Sequence, residues 1–122
     1  MAKSDTLGGG ITTKVFLETD LDEGEAIKLS ATTLYSVSLT NASSSTTTYL
    51  KFYDTAGTVT IGTTVPVFTV PCRPDLSGEA LVIGTGGLAF SNGLQIATVT
   101  DGGGTAGTTA PSDALTVTLV FS

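Results

Sequence analysis

The residues of this chain that could bind a metal ion lie between positions 18 and 25. Carboxylates recur there at alternating positions, and oxygen ligands on a loop are those that calcium prefers. The glycine of the segment, Gly24, comes one position too early for an EF-hand loop, and a closing bidentate glutamate is missing. We therefore predict a solvated acidic turn without a resident metal, and the candidate ligands of a surface calcium ion are Asp20, Asp22 and Glu25.

A glycine-rich segment at residues 84–89 matches the G-x-G-x-x-A form of a dinucleotide-binding fingerprint. In such a site the segment opens a helix whose N-terminal amides hold the pyrophosphate. Here Asn92 and Gly93 would end any helix before three turns. We therefore predict a glycine turn between two strands, and no bound cofactor.

The single cysteine, Cys72, lies beside Arg73, and a neighbouring guanidinium can activate a thiol. A catalytic pair would also need a base, and the chain has no histidine. We therefore predict a structural thiol.

Tyrosines are the residues that could stack on sugars. A glycosidase needs two carboxylates in a cleft, normally lined by aromatic rings, and this chain has no tryptophan. Tyr35, Tyr49 and Tyr53 could form a modest sugar-binding face. Cross-strand packing of these tyrosines is the favoured interpretation.

Charge and composition exclude several function classes. Lys and Arg total 5 against 11 Asp and Glu, so the formal net charge is -6 at pH 7. That sign opposes binding to nucleic acid and to anionic membranes. Without histidine, and with one cysteine, the chain lacks the groups on which most acid-base, nucleophilic and zinc chemistry depends. We predict that the protein is not an enzyme.

The start of the chain bears on where the protein is made. Residues 1–10 contain no apolar core of a secretory signal, and no stretch approaches the roughly 18 apolar residues of a membrane span. We therefore expect synthesis in the cytoplasm and no membrane partner. Asn41 begins a glycosylation sequon, which has no meaning without secretion.

The elements that must position these residues are strands. The chain holds 24 Thr, 11 Ser and 15 Gly, a composition that favours strands and turns over helices. Short apolar runs separated by turn residues predict eight strands. Residues 1–13 are polar and glycine-rich, which is typical of a flexible N-terminal arm, and residues 14–122 form one domain.

Alternation at period two identifies the core and two hairpins. The last strand, residues 115–121, alternates most regularly, whereas residues 81–83 are predicted to be a short buried strand. Hairpins are predicted across the Ser/Thr loop at 43–48 and across Asn92-Gly93. The inward-facing residues are predicted to include Leu50, Phe52, Leu115, Val117, Leu119 and Phe121.

These elements predict an all-β fold, an antiparallel two-sheet β-sandwich of the jelly-roll or Greek-key type. Two prolines in the run at 65–71 indicate a sheet edge, and that run carries more apolar surface than one edge strand can bury alone. In the arm, two apolar residues flank the glycines as anchors for a binding partner. The predicted partner interface is Leu7, Ile11, Pro66, Phe68 and Val70.

A resemblance to a known class spans residues 34–121. It runs through the segments 34–36, 49–54, 87–90, 93–97 and 115–121, which read LYS, YLKFYD, GLAF, GLQIA and LTVTLVF. In these segments the chain resembles small virion proteins of tailed bacteriophages, of the capsid decoration or cement type. The resemblance implies a structural protein without catalytic residues, which binds the major capsid protein on the virion surface as a homotrimer. Similar domains occur in phage tail and fibre proteins, so a module that binds host-surface glycans is the alternative.

Overall fold

The computed structural model describes residues 2–4, 14–21, 24–81, 83–84, 86–102 and 107–122. This part of the chain is all-β and contains no helix, so it has none that could cross a membrane. Its strands are β1 Ala2–Ser4, β2 Lys14–Leu21, β3 Gly24–Lys28, β4 Thr32–Asn41, β5 Thr48–Asp54, β6 Phe68–Cys72, β7 Leu76–Leu81, β8 Leu88–Phe90, β9 Leu94–Val99 and β10 Leu115–Phe121.

The strands form two antiparallel sheets that pack face to face as a β-sandwich, as predicted. Sheet A has the order β1-β2-β10-β4-β7, and β8 pairs with the same edge of β4 as β7 does. Sheet B has the order β3-β9-β5-β6. All of these pairs are antiparallel.

Strand pairing is nested along the chain. The innermost pair is the β5-β6 hairpin, around which β4 pairs with β7 and β8, then β3 with β9, and finally β2 with β10. The chain is therefore a long two-stranded ribbon that is wrapped so that successive pairs lie alternately in sheet B and sheet A.

The inner faces of the two sheets form one hydrophobic core. All six residues predicted to point inward are buried, which confirms the alternation read from β5 and β10. Phe52 stacks on Phe68 of the adjacent strand, with ring centroids 4.3 Å apart and an interplanar angle of 11°. The other large apolar residues of the core include Phe16, Leu34, Val37, Leu39, Phe90, Leu94 and Ile96.

Both predicted hairpins are wrong. The Ser/Thr loop at 43–48 connects β4 of sheet A to β5 of sheet B, and the turn at 91–93 connects β8 of sheet A to β9 of sheet B. In each case the turn residues were identified correctly. The chain crosses between sheets there instead of returning beside the strand it has just left.

Of the described residues in the strand predicted at 81–83, Leu81 alone lies in a strand. β7 runs from Leu76 to Leu81, and its residues 77–80 are exposed. Both Leu81 and Ile83 are only half-buried. An edge strand buries few of its side chains, so polar residues such as Ser77 and Glu79 can belong to it without producing an alternating pattern.

The predicted N-terminal arm differs from the structure at its beginning. Residues 2–4 form β1, which pairs with β2 at the edge of sheet A. The rest of that arm, including Leu7 and Ile11, lies outside the described residues.

The outer face of sheet B is covered by loops. Lys51 and Tyr53, which point away from the core side of β5, are each only 1% exposed. The segment at 55–57 crosses this face, where two of its carbonyls accept hydrogen bonds from Gln95 of β9. The loop after β9 packs on the same face through Gly102, which lies against the Tyr49 ring.

Candidate interaction surfaces

The acidic residues proposed as calcium ligands are only partly described. Asp20 lies in β2 with its side chain undescribed, Asp22 lies outside the described residues, and Glu25 is a half-buried residue of β3. Within the described ranges, no three His, Cys, Asp or Glu side chains are grouped closely enough to hold a metal ion. The candidate calcium site therefore has no support from the described residues, and the acidic turn without a resident metal stays a prediction.

The strand that carries the predicted edge interface is indeed an edge strand. β6 is the last strand of sheet B, and Pro71 lies within it while Pro66 precedes it. Phe68 and Val70 turn their side chains toward the core and are half-buried there. Apolar exposure lies instead in the segment before the strand, where Val65 is 72% and Val67 is 55% exposed.

A shallow groove opens between the edges of the two sheets beside β6. It has a volume of about 80 Å³, and its rim carries an exposed ion pair between Arg73 and Glu79 at 3.7 Å. Its floor includes core residues, so this side of the sandwich is incompletely closed. The groove is lined by Leu39, Val70, Pro71, Leu76, Glu79, Ala80 and Leu81.

The outer face of sheet A is a second candidate surface. Alternation in β10 points Thr116, Thr118 and Val120 away from the core, and register places Thr40, Ser38 and Ser36 of β4 beside them. On the other side of β10, Leu17 and Val15 of β2 complete the rows. We call these eight residues the sheet A outer face: Val15, Leu17, Ser36, Ser38, Thr40, Thr116, Thr118 and Val120. None of them carries a charge.

A third surface is a cleft on the covered side of sheet B. It has a volume of about 280 Å³ and lies between β3, β9 and the 58–61 segment. Gln95 is fixed there because its Nε2 donates to the Thr55 and Gly57 carbonyls, at 2.9 and 2.7 Å. The remaining lining is mixed, with Glu25 and Thr58 beside Ala26, Val59 and Ile61.

The sequence motifs did not indicate this cleft, because loop packing creates it. One signal was present in β9, where Ala97 and Val99 occupy the positions at which a half-exposed strand would carry polar residues. Small and apolar residues on both faces of a strand are typical of a strand that is buried on both sides.

The three tyrosines do not form one face. Tyr35 is partly exposed on β4 of sheet A, whereas Tyr49 and Tyr53 belong to β5 of sheet B. The three rings therefore form neither one sugar-stacking face nor one set of cross-strand contacts, so the favoured interpretation is also wrong for the three together.

The two sequence motifs with apparent chemistry have structural roles. Burial raises the pKa of the Cys72 thiol to about 12, so the thiolate that nucleophilic chemistry requires is not formed near neutral pH. The described part of the glycine-rich segment is a turn between β7 and β8, in which Gly87 donates to the Gly84 carbonyl. Gly87 adopts a φ of 77°, and a side chain there would collide with the Leu34 carbonyl. The turn between two strands is thus as predicted from the sequence.

Comparison of this chain with protein-family models, with curated proteins and with solved structures finds no match. The choice among functions therefore depends on the three surfaces described above and on the resemblance seen in the sequence.

Proposed function

We propose that this chain is a non-enzymatic structural protein of a tailed-bacteriophage virion, made in the bacterial cytoplasm, that binds the outer surface of the capsid and stabilises the shell. The observation that carries the proposal is the sheet A outer face. Fold-level support comes from the nested strand pairing, which we interpret as an eight-stranded jelly roll in which β7 and β8 share one strand position and β1 is added at one edge. Jelly rolls occur in viral capsid and lectin domains, so the fold alone favours neither main candidate.

The sheet A outer face suits a broad protein contact. Binding there would not require the removal of water from a charged group, which is the costliest part of forming an interface. Thr and Ser side chains also lose less conformational entropy on ordering than Lys or Glu would. These properties support a large contact between uncharged surfaces of this chain and the major capsid protein.

The open edge at β6 supports self-association. Val65 and Val67 expose apolar surface beside an edge strand, and with only 5 Lys and Arg the chain has few of the charges that usually protect such edges. Closed cyclic association hides this surface without forming filaments. The resemblance to phage decoration proteins favours a homotrimer over a dimer, because decoration proteins often occupy threefold positions of icosahedral shells.

The test is to locate the protein on phage particles. An epitope-tagged chain would be expressed during phage production, and gold-labelled particles imaged by negative-stain electron microscopy. We expect label over the whole shell. Label confined to the tail or fibres, or absent from purified particles, would contradict the proposal.

A matched pair of variants connects the result to the surface. Thr118→Lys places a long charged side chain in the middle of the sheet A outer face, whereas Ala56→Lys places the same charge on an exposed loop of the opposite sheet. We expect Thr118→Lys to lose shell labelling and Ala56→Lys to keep it. Both proteins should melt as the unmodified chain does.

The alternative function, a tail or fibre module that binds host glycans, is favoured by one observation. The 280 Å³ cleft offers a fixed amide at Gln95 and a hydroxyl at Thr58 beside apolar side chains, a combination that suits a single sugar ring. Titration of the labelled protein with host-surface glycans, followed by NMR, would support this function if shifts cluster around the cleft. If this function is correct, the gold label of the particle experiment should also lie at the tail.

A further inference from the structure

The turn between β8 and β9 contains the sequence Asn92-Gly93. An asparagine followed by glycine is open to intramolecular attack, because glycine has no Cβ to shield its backbone nitrogen from the neighbouring side-chain carbonyl. The Asn92 side chain is exposed to solvent. The sequence and the exposure together indicate a place where the chain can be chemically modified.

The Asp54 carboxylate closes over this turn from the end of β5. Its Oδ1 accepts hydrogen bonds from the backbone N–H groups of Asn92, at 2.8 Å, and Gly93, at 3.3 Å, while its Oδ2 accepts from Ser91 at 3.2 Å. Asp54 thus holds the nitrogen that would attack and the backbone of the residue whose side chain would be attacked.

Gly93 is also held from the other side. A side-chain carbon placed on it would lie 2.9 Å from the Lys28 carbonyl oxygen and 2.8 Å from the Thr55 carbonyl oxygen. The Gly93 backbone therefore lies in close contact with the backbones of Lys28 and Thr55. Rotation of the turn, which would bring the Gly93 nitrogen onto the Asn92 side chain, requires these segments to separate.

We propose that Asn92 is a latent deamidation site and that Asp54 is the positioning residue that keeps it closed. In the reaction, the Gly93 nitrogen loses its proton to water and bonds to Cγ of Asn92. The Cγ–Nδ2 bond breaks, and ammonia leaves. Water then opens either C–N bond of the cyclic imide, which gives aspartate or isoaspartate. A carboxylate beside the Gly93 N–H opposes the negative charge that develops on that nitrogen, and its hydrogen bonds hold the turn rigid.

The test compares folded full-length proteins at neutral pH, below their melting transitions. Peptide mapping by mass spectrometry measures the conversion of Asn92 to aspartate and isoaspartate over time. We expect Asp54→Ala to deamidate roughly tenfold faster than the unmodified chain, because hydrogen bonds to a charged acceptor are lost. Asp113→Ala, which removes an exposed carboxylate far along the sequence, should leave the rate unchanged. Equal rates in the unmodified chain and Asp54→Ala would overturn the proposal.

A second measurement needs no variant. The unmodified chain unfolded in urea should deamidate at Asn92 faster than the folded chain, and equal rates would overturn the proposal even if Asp54→Ala failed to fold. Asn41 is an internal comparison in every sample, since its amide is buried and donates to two backbone carbonyls. It should stay unmodified in all the folded proteins.

Discussion

Asn41 shows how much one buried polar side chain can hold together. Its Nδ2 donates to the Thr46 carbonyl at 3.0 Å and to the Cys72 carbonyl at 2.8 Å, and its Oδ1 accepts from the Ser43 backbone. These bonds join the end of β4, the crossing loop and the end of β6. They also use both amide hydrogens, so the folded protein offers no group for glycosylation at this sequon.

We expect Asn41→Asp to destabilise the protein by about 2 to 4 kcal/mol, because it removes two donors from buried carbonyls and places a carboxylate oxygen in front of them. Urea unfolding followed by circular dichroism measures the change. Ser44→Ala, an exposed substitution in the same loop, is the control and should change stability by less than about 0.5 kcal/mol. A small effect of Asn41→Asp would show that the loop is held by other contacts.

Asp54 should make stability depend on pH in the acidic range. Hydrogen bonds from the backbone at 91–93 lower the pKa of this carboxyl below its ordinary value of 3.8. A lowered folded pKa stabilises the protein above the ordinary pKa, and this contribution is lost as the pH falls through the folded value. Asp54 is half-buried and its partners lie in an exposed turn, so solvent screening limits its contribution at neutral pH to about 1 kcal/mol.

The corresponding measurement is the difference in unfolding free energy between the unmodified chain and Asp54→Ala at several pH values. We expect a constant difference above pH about 5, which shrinks below pH about 4. A difference that stays constant to the lowest pH at which both proteins fold would show that the charge of Asp54 contributes nothing.

At the scale of the strand, β10 could be predicted because the alternation that identifies it lies within the strand itself. One residue in two points inward over its whole length, and sheet A is open to water on its other face. Phe121→Ala should therefore cost about 3 kcal/mol or more, because it leaves a cavity in the core. Val120→Ala, on the outward side of the same strand, should cost less than about 1 kcal/mol. Chemical denaturation of both variants would test this contrast, and equal costs would show that the register of β10 is wrong.

The turn residues did not predict which strands pair with each other. An Asn-Gly hairpin of the usual kind requires positive φ at both positions, and neither Asn92 nor Gly93 adopts it. Asp54 stabilises the turn from another strand, and Gly93 is required there by close approach of two backbones. Both causes lie far away in sequence. The position of β6 at a sheet edge, in contrast, could be predicted from Pro66 and Pro71, because a proline has no backbone N–H to donate to a neighbouring strand.

At the scale of the whole molecule, exposed apolar surface lies beside the β6 edge. Val65 and Val67 precede β6, and the groove beside them exposes part of the core. We expect light scattering of the purified protein to give the mass of three chains. Val67→Lys should shift the mass toward one chain, and Ala56→Lys should not. A stable monomer at micromolar concentration would remove the edge argument and favour a tethered fibre module.

The nested pairing of strands also determines the order in which the protein can fold. Among the nested pairs of the described chain, β5-β6 is the one that joins consecutive strands, and each pair outside it must close a longer loop, which slows its formation. β10 pairs with both β2 and β4, so the centre of sheet A stays empty until the last strand is available.

During synthesis, the part of the chain that has emerged from the ribosome therefore lacks the central strand of sheet A until residues 115–121 have left the exit tunnel. Nascent chains stalled before β10 emerges should be cut readily by protease, and chains stalled on a long linker after it should resist. Until that moment the inner face of sheet B has no complete partner, so we expect the emerging chain to be most prone to aggregation before β10 has left the tunnel.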